Sequence, residues 1–296
     1  MEPMLLELLN NDLKTLNLSL PQGADVQLLT FLEKVLIANE TMNLTSIVDP
    51  QEAIHKHLID SVSVLMLKSL ETQINHNPLW IDVGSGAGFP GIALALAVPS
   101  STVHLIESTG KKAHFLNMVS AELGLIKRIH VHNQRAEVLS PYTGPGSKPS
   151  KDVPRGTSAR LLSRDRLKRH EDLNSSQAPD RSPESSVSRG TDLNLRAVAD
   201  AVFFRGVARL ASLIELGAPF LKVGGLLIAY KGPKAVEELT EAAKAMKELK
   251  MELLEQKDFT LPGVLEARSL VCFRKTSETV KMFPRLTGLA QKEPLI

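Results

Sequence analysis

Cysteine is nearly absent from this 296-residue chain; Cys272 stands alone. A lone thiol excludes an internal disulfide and a cysteine-built zinc site, and it suits a reducing compartment. Its apolar surroundings, Leu270-Val271-Cys272-Phe273, make a buried small hydrophobe the expected role. Long apolar runs are missing too. None approaches the roughly 18 residues that cross a bilayer, so no membrane partner is expected. Met1 to Leu13 carries acids and lacks the basic start and apolar run of a secretory leader, so a cytoplasmic location is expected. Strong net charge is also lacking: 35 Lys+Arg face 33 Asp+Glu, for a net +2. That balance by itself selects no class of partner.

The charge is unevenly placed. Residues 143–196 hold 11 Lys+Arg and 7 Asp+Glu, with ten serines, five prolines and no aromatic residue. The remainder of the chain is therefore net −2. Such a stretch lacks the apolar surface that offsets chain entropy, and a disordered insertion is expected there. Its cluster Arg160, Arg164, Arg166, Lys168 and Arg169 leaves two readings open. One is contact with RNA phosphates. The other, a solvated loop without a role, is the commoner fate of basic low-complexity runs.

On either side of that segment the pattern is regular. Leu28, Leu29, Leu32, Val35 and Leu36 share one helical face over 27–39, and a second helix is expected from Pro50 to Leu65. Strands are expected at 79–83, 103–106, 129–132, 201–204, 226–230, 253–259 and 270–274. Helices are expected at 90–98, 111–123, 207–220 and 234–250. Strands alternating with helices specify right-handed βαβ units and a mainly parallel sheet. The last two strands, joined through Leu261-Pro262-Gly263, should form an antiparallel hairpin. The expected organisation is a helical N-terminal region, 1–70, packed on a core of 71–142 and 197–296, with 143–196 inserted.

In such a sheet the ligand lies beyond the carboxyl ends of the strands. After the first strand comes Asp82-Val83-Gly84-Ser85-Gly86-Ala87-Gly88-Phe89-Pro90-Gly91. Glycines there let backbone approach a ligand without an intervening Cβ. A dinucleotide fingerprint wants glycine at offsets 0, 2 and 5. Here Phe89 occupies the third position, which argues against NAD. The G-x-G-x-G form looks instead like an S-adenosylmethionine loop, and the fold class follows: α/β, Rossmann-like, of the S-adenosylmethionine-dependent methyltransferase type. After the second strand comes Glu107, 23 residues beyond Gly84, a spacing suited to an acid that accepts ribose hydroxyls. Gln134-Arg135-Ala136-Glu137 follows the third strand, Arg205 the fourth and Lys231-Gly232 the fifth. His55 and His57 near Asp60 hint at a metal. Two residues apart on a helix they face opposite sides, so none is expected.

These stretches, with others, resemble the bacterial small-subunit ribosomal RNA guanine-N7 methyltransferases of the glucose-inhibited division protein B (GidB/RsmG) type. The residues that carry the likeness are Asn43-Leu44-Thr45, His57-Leu58-Ile59-Asp60-Ser61, the loop Asp82–Ile92, Lys111-Lys112, Phe115-Leu116, Glu122–Leu125, Arg135-Ala136-Glu137, Arg205, Phe220-Leu221-Lys222, Gly224-Gly225, Lys231-Gly232, and Phe283-Pro284-Arg285 with Gly288. The likeness spans almost everything outside 143–199. It implies S-adenosylmethionine as cofactor, held by Gly84, Gly86, Phe89, Glu107, Ser108, Thr109, Ala136, Glu137 and Arg205. It implies methyl transfer to N7 of a guanine in the 530 loop of 16S ribosomal RNA. Lys112, Lys231 and Arg285, as basic side chains, are expected toward that RNA. No general base is implied. The partner would be 16S rRNA or the small subunit, and the protein a monomer. The family has a short link where this chain has the insertion, Ala-x-Ala where it has Gly206-Val207-Ala208, and a small residue in place of Phe204. Two other readings remain: an NAD-dependent oxidoreductase, and a non-catalytic cofactor-binding module.

Overall fold

A computed structural model describes residues 3–74, 76–140, 194–206 and 208–296. The insertion expected at 143–196 lies, but for its last three residues, outside the described residues. Leu195 and Arg196 belong with the sheet and helices described below. Leu195 is buried and donates its N–H to Leu139 O at 2.9 Å, while Arg196 donates to the carbonyls of Thr279, Val280 and Phe283.

The chain opens with helices α1 (Pro3–Thr15) and α2 (Ala24–Met42). The stretch expected as one helix from Pro50 is three kinds of helix in succession. α3 (Pro50–Ala53) passes into a π-helical turn, Ile54–Ile59, then α4 (Asp60–Val62) and a 3₁₀ turn, Ser63–Met66. Asp49 caps the start, accepting the Glu52 N–H at 2.8 Å. α5 (Lys68–Ile74) completes the region. No helix among the described residues is long and apolar enough to cross a membrane.

β1 (Leu79–Val83), α6 (Gly91–Ala97), β2 (Thr102–Ile106), α7 (Gly110–Glu122), β3 (Ile129–His132), α8 (Ala136–Leu139) and β4 (Ala199–Arg205) follow. Then come α9 (Leu210–Gly217), β5 (Leu221–Lys231), α10 (Ala235–Glu241), α11 (Ala243–Leu249), β6 (Met251–Leu261), β7 (Glu266–Lys275) and α12 (Leu289–Lys292). The described strands form one sheet in the order β3-β2-β1-β4-β5-β7-β6. β1 to β5 run parallel, and β7 is antiparallel to both its neighbours. The order reverses at β1, which opens the crevice where an α/β sheet takes its ligand. The helix expected over 234–250 breaks at Ala242 into α10 and α11.

Alternation along the strands divides the core in two. Trp80, Leu105, Phe203 and Cys272 face α6, α7 and the N-terminal helices, in one cluster with Leu9, Leu28, Phe31 and Leu58. Ile81, Val202, Phe204 and Val271 face the other way, onto α9 and α11. Phe204, unusual for the resemblance, has its space from Gly217, where a Cβ would lie 2.6 Å from the phenylalanine ring.

Candidate active site

The cradle is built on β1 and β2. Gly84, Gly86 and Gly88 all have positive φ (78°, 55° and 98°), a conformation that costs other residues strain. Gly84 N–H and Ser85 N–H both donate to Ile106 O, at 2.8 and 3.2 Å, so the loop is stapled to the end of β2. The next residue of that strand end, Glu107, is buried and accepts two backbone protons: Gly86 N–H on Oε2 at 3.0 Å and Thr109 N–H on Oε1 at 2.7 Å. Asn133, beyond β3, donates to Glu107 O at 3.0 Å. Gly84, Ser108 and Thr109 are exposed, and a Cβ on Gly86 would meet nothing closer than 3.8 Å. The cradle thus has open space in front and an acid with free lone pairs beside it. That fits an adenosyl group, whose ribose hydroxyls donate to a carboxylate.

Behind the loop lies Asp82, almost fully buried, accepting the Gly91 N–H on Oδ2 at 3.0 Å. Burial pushes its pKa up to about 7, against the opposing pull of the Gly91 N–H. Gly91 supplies the close helix–strand contact that a third fingerprint glycine would otherwise give. A Cβ there would fall 2.3 Å from Leu105 Cδ2 and 2.7 Å from Asp82 Oδ2. That leaves Phe89 free to be bulky.

Phe89 is packed between Phe31 of α2 (centroids 4.8 Å apart) and His57 of the π turn (4.8 Å, planes 16° apart). The N-terminal helices therefore make one wall of the site. His57 Nε2 bonds Thr45 Oγ1 at 2.7 Å, and its Nδ1 lies 3.5 Å from Arg205 Nη2. Burial, then the Arg205 charge, lowers the His57 pKa to about 4. His55 turns the opposite way, its Nδ1–H donating to Asp12 at 2.5 Å. Among the described residues no cluster of side chains could hold a metal ion.

Arg205 stands at the carboxyl end of β4, where its spacing put it, yet its partners come from the N-terminal region. Nε donates to Asp60 Oδ2 at 2.7 Å, and Nη2 to the Lys56 carbonyl. Asp60 also accepts Arg268 Nε at 3.3 Å. Lys56 pairs with Glu52 at 2.9 Å and with Glu266 at 2.6 Å, which brings the β6–β7 hairpin onto the same turn. The sequence reading missed Asp60 as the partner of Arg205 and Arg268 as the second arginine on Asp60, since each lies far from Arg205 along the chain. The Asp60 motif was visible, but its purpose was not.

Other residues expected at the site have partners within the fold. Glu137 accepts the Gly288 N–H at 2.8 Å and so anchors the C-terminal segment, while Ala136 is buried beside it. Lys231, expected at RNA, pairs with Glu238 at 2.7 Å and donates to Ala208 O at 2.9 Å. Arg285, also expected at RNA, meets the fully buried Glu215 through Nε at 2.9 Å and Nη2 at 2.7 Å. Within the fold each of these charges meets an acid. Lys112, at the start of α7, is half-exposed.

A family model described as rRNA small subunit methyltransferase G matches residues 25–145, which carry this cradle and its N-terminal wall. The ribosomal RNA small subunit methyltransferase G of Carboxydothermus hydrogenoformans is 34% identical over 271 residues, 91% of this chain and 92% of its own. The chain belongs to that family. The methyltransferase G of Lachnoclostridium phytofermentans is likewise 34% identical, over 96% of this chain and 95% of its own. Among solved structures, M. jannaschii TYW2 in complex with AdoMet aligns over 71% of this chain and 77% of that one, at 13% identity and a TM-score of 0.40, too distant to bear on function. The stretch matched to the methyltransferase G family holds both the glycine cradle and the His57–Asp60 turn that walls it.

Proposed function

We propose that this chain transfers the methyl group of S-adenosylmethionine to N7 of a guanine in the 530 loop of 16S ribosomal RNA. One observation carries the reading: the Gly84–Gly88 cradle held open by Glu107, in a chain of the small-subunit rRNA methyltransferase family. Gly84 and Gly86 offer backbone to the cofactor, and Glu107 accepts from its ribose. Ser108, Thr109 and Ala136 line the adenosine side. Phe89 and Arg205 wall the reacting end, and Glu137 sets the tail beside it. Lys112 meets RNA phosphate.

The bound cofactor supplies a methyl group already activated on sulfur. Guanine N7 carries a free lone pair, so no side chain has to remove a proton before attack. The residues act by orientation: they hold acceptor and donor in line and keep water out, a proximity effect. An acceptor base in folded RNA has to be unpaired or turned out of its stack to reach the site.

The test is incubation of the purified protein with labelled cofactor and small subunits lacking the modification. N7-methylguanosine in that loop, found by mass spectrometry of the RNA, is the expected product. Its absence, with the label elsewhere or unincorporated, refutes the reading.

A further inference from the structure

Thr45 and His57 lie outside the cradle; His57 adjoins it by stacking on Phe89, and Thr45 is bonded to His57. The His57 ring is stacked on Phe89, and its Nδ1 faces Arg205 Nη2 at 3.5 Å. A guanidinium nitrogen only donates, so Nδ1 presents its lone pair and the ring proton sits on Nε2. Nε2–H then donates to Thr45 Oγ1 at 2.7 Å. The same oxygen accepts the Ile47 N–H at 3.1 Å. A hydroxyl has two lone pairs and one proton, and here both lone pairs are taken. The backbone of Thr45 is fixed by its own N–H, which donates to Asn39 Oδ1 at 2.9 Å. The residue is half-buried. Thr45 is left with a single capacity, to donate its own proton.

A hydroxyl that only donates tells the purines apart. Beside N7 guanine carries O6, an acceptor, where adenine carries an amino group, a donor. We propose that Thr45 determines specificity: its hydroxyl donates to O6 of the guanine being methylated, and it has no lone pair left to receive an adenine amino group. His57 is a positioning residue that makes Thr45 a one-way donor. The inference rests on the guanine-N7 reading above and deepens it.

The experiment compares two RNAs, one with the target guanine and one with 2-aminopurine in its place, which keeps N7 and lacks O6. Wild-type protein is expected to methylate the guanine RNA with about tenfold higher kcat/KM, the worth of one hydrogen bond. Thr45→Val should lose about tenfold on guanine and little on 2-aminopurine, which erases the discrimination, while Thr45→Ser restores it. Equal losses on both RNAs would assign Thr45 a purely structural role and overturn the proposal, as would a wild type indifferent to O6. Methylation of neither RNA by wild type would instead refute the guanine-N7 reading beneath it. The wild-type comparison of the two RNAs needs no variant and stands even if Thr45→Val folds poorly.

Discussion

Replacing Glu107 by glutamine preserves the shape of the side chain and exchanges one acceptor for a donor. In the structure each carboxylate oxygen faces a backbone N–H, that of Gly86 at 3.0 Å and that of Thr109 at 2.7 Å. Whichever way the amide turns, its NH₂ meets one of them, donor against donor. The other bond survives without its charge. Hydrogen bonds to a charged group contribute about 1.5–3 kcal/mol and neutral ones about 0.5–1.5. One bond lost and one weakened therefore cost about 2–4 kcal/mol of loop order, roughly 30- to 700-fold in cofactor affinity. Titration calorimetry with S-adenosylmethionine on wild type, Glu107→Gln and Glu107→Ala reads this directly. Alanine, which removes both acceptors and the ribose contact together, should bind no better than glutamine. A Glu107→Gln protein within threefold of wild type would refute the argument that this carboxylate organises the cradle.

Arg285→Ala should destabilise the fold by about 3–5 kcal/mol, because it leaves Glu215 charged and fully buried with only a backbone N–H as donor. Denaturant unfolding checks this; unchanged stability together with lost RNA affinity would return Arg285 to the RNA. Gly91→Ala should cost about 1–3 kcal/mol by overpacking against Leu105 and Asp82, and a crystal structure would show the Asp82–Gly91 hydrogen bond lengthened. Asp82 has a folded-state pKa of about 7, well above its ordinary 3.8, so the folded protein binds the extra proton. Its contribution to stability is full below about pH 4 and is lost as pH rises to 7. The unfolding free energy of wild type should accordingly fall against that of Asp82→Asn over that window; parallel profiles would contradict the buried ionisation.

Much of the architecture was legible because it is written in local periodicity. Strands alternating with helices, the hairpin at Leu261–Gly263 and the helical N-terminus all follow from side-chain patterns a few residues long. The π turn at Ile54–Ile59 was not, since its apolar spacing reads as an ordinary helix. The break at Ala242 carries no proline or glycine to announce it. In the site, Gly84–Gly88 and Glu107 were readable because the loop and its acid sit one βαβ unit apart. For Lys231 and Arg285 the sequence showed less. A basic residue beyond a strand looks free until its acid, Glu238 or Glu215, is seen packed against it.

The sequence by itself determined the sheet, the cradle at its switch point and, through Phe89 in place of glycine, the turn away from a dinucleotide. These depend on backbone conformation and on neighbours within about 25 residues. Tertiary structure alone decided which charges stay available and what walls the reacting end. Asp60 takes arginines from β4 and β7, Phe89 rests between α2 and the π turn, and Thr45 is bonded to His57. Each is a contact between segments distant in the chain. The lone pairs and charges it consumes are known only once packing has brought its partners together.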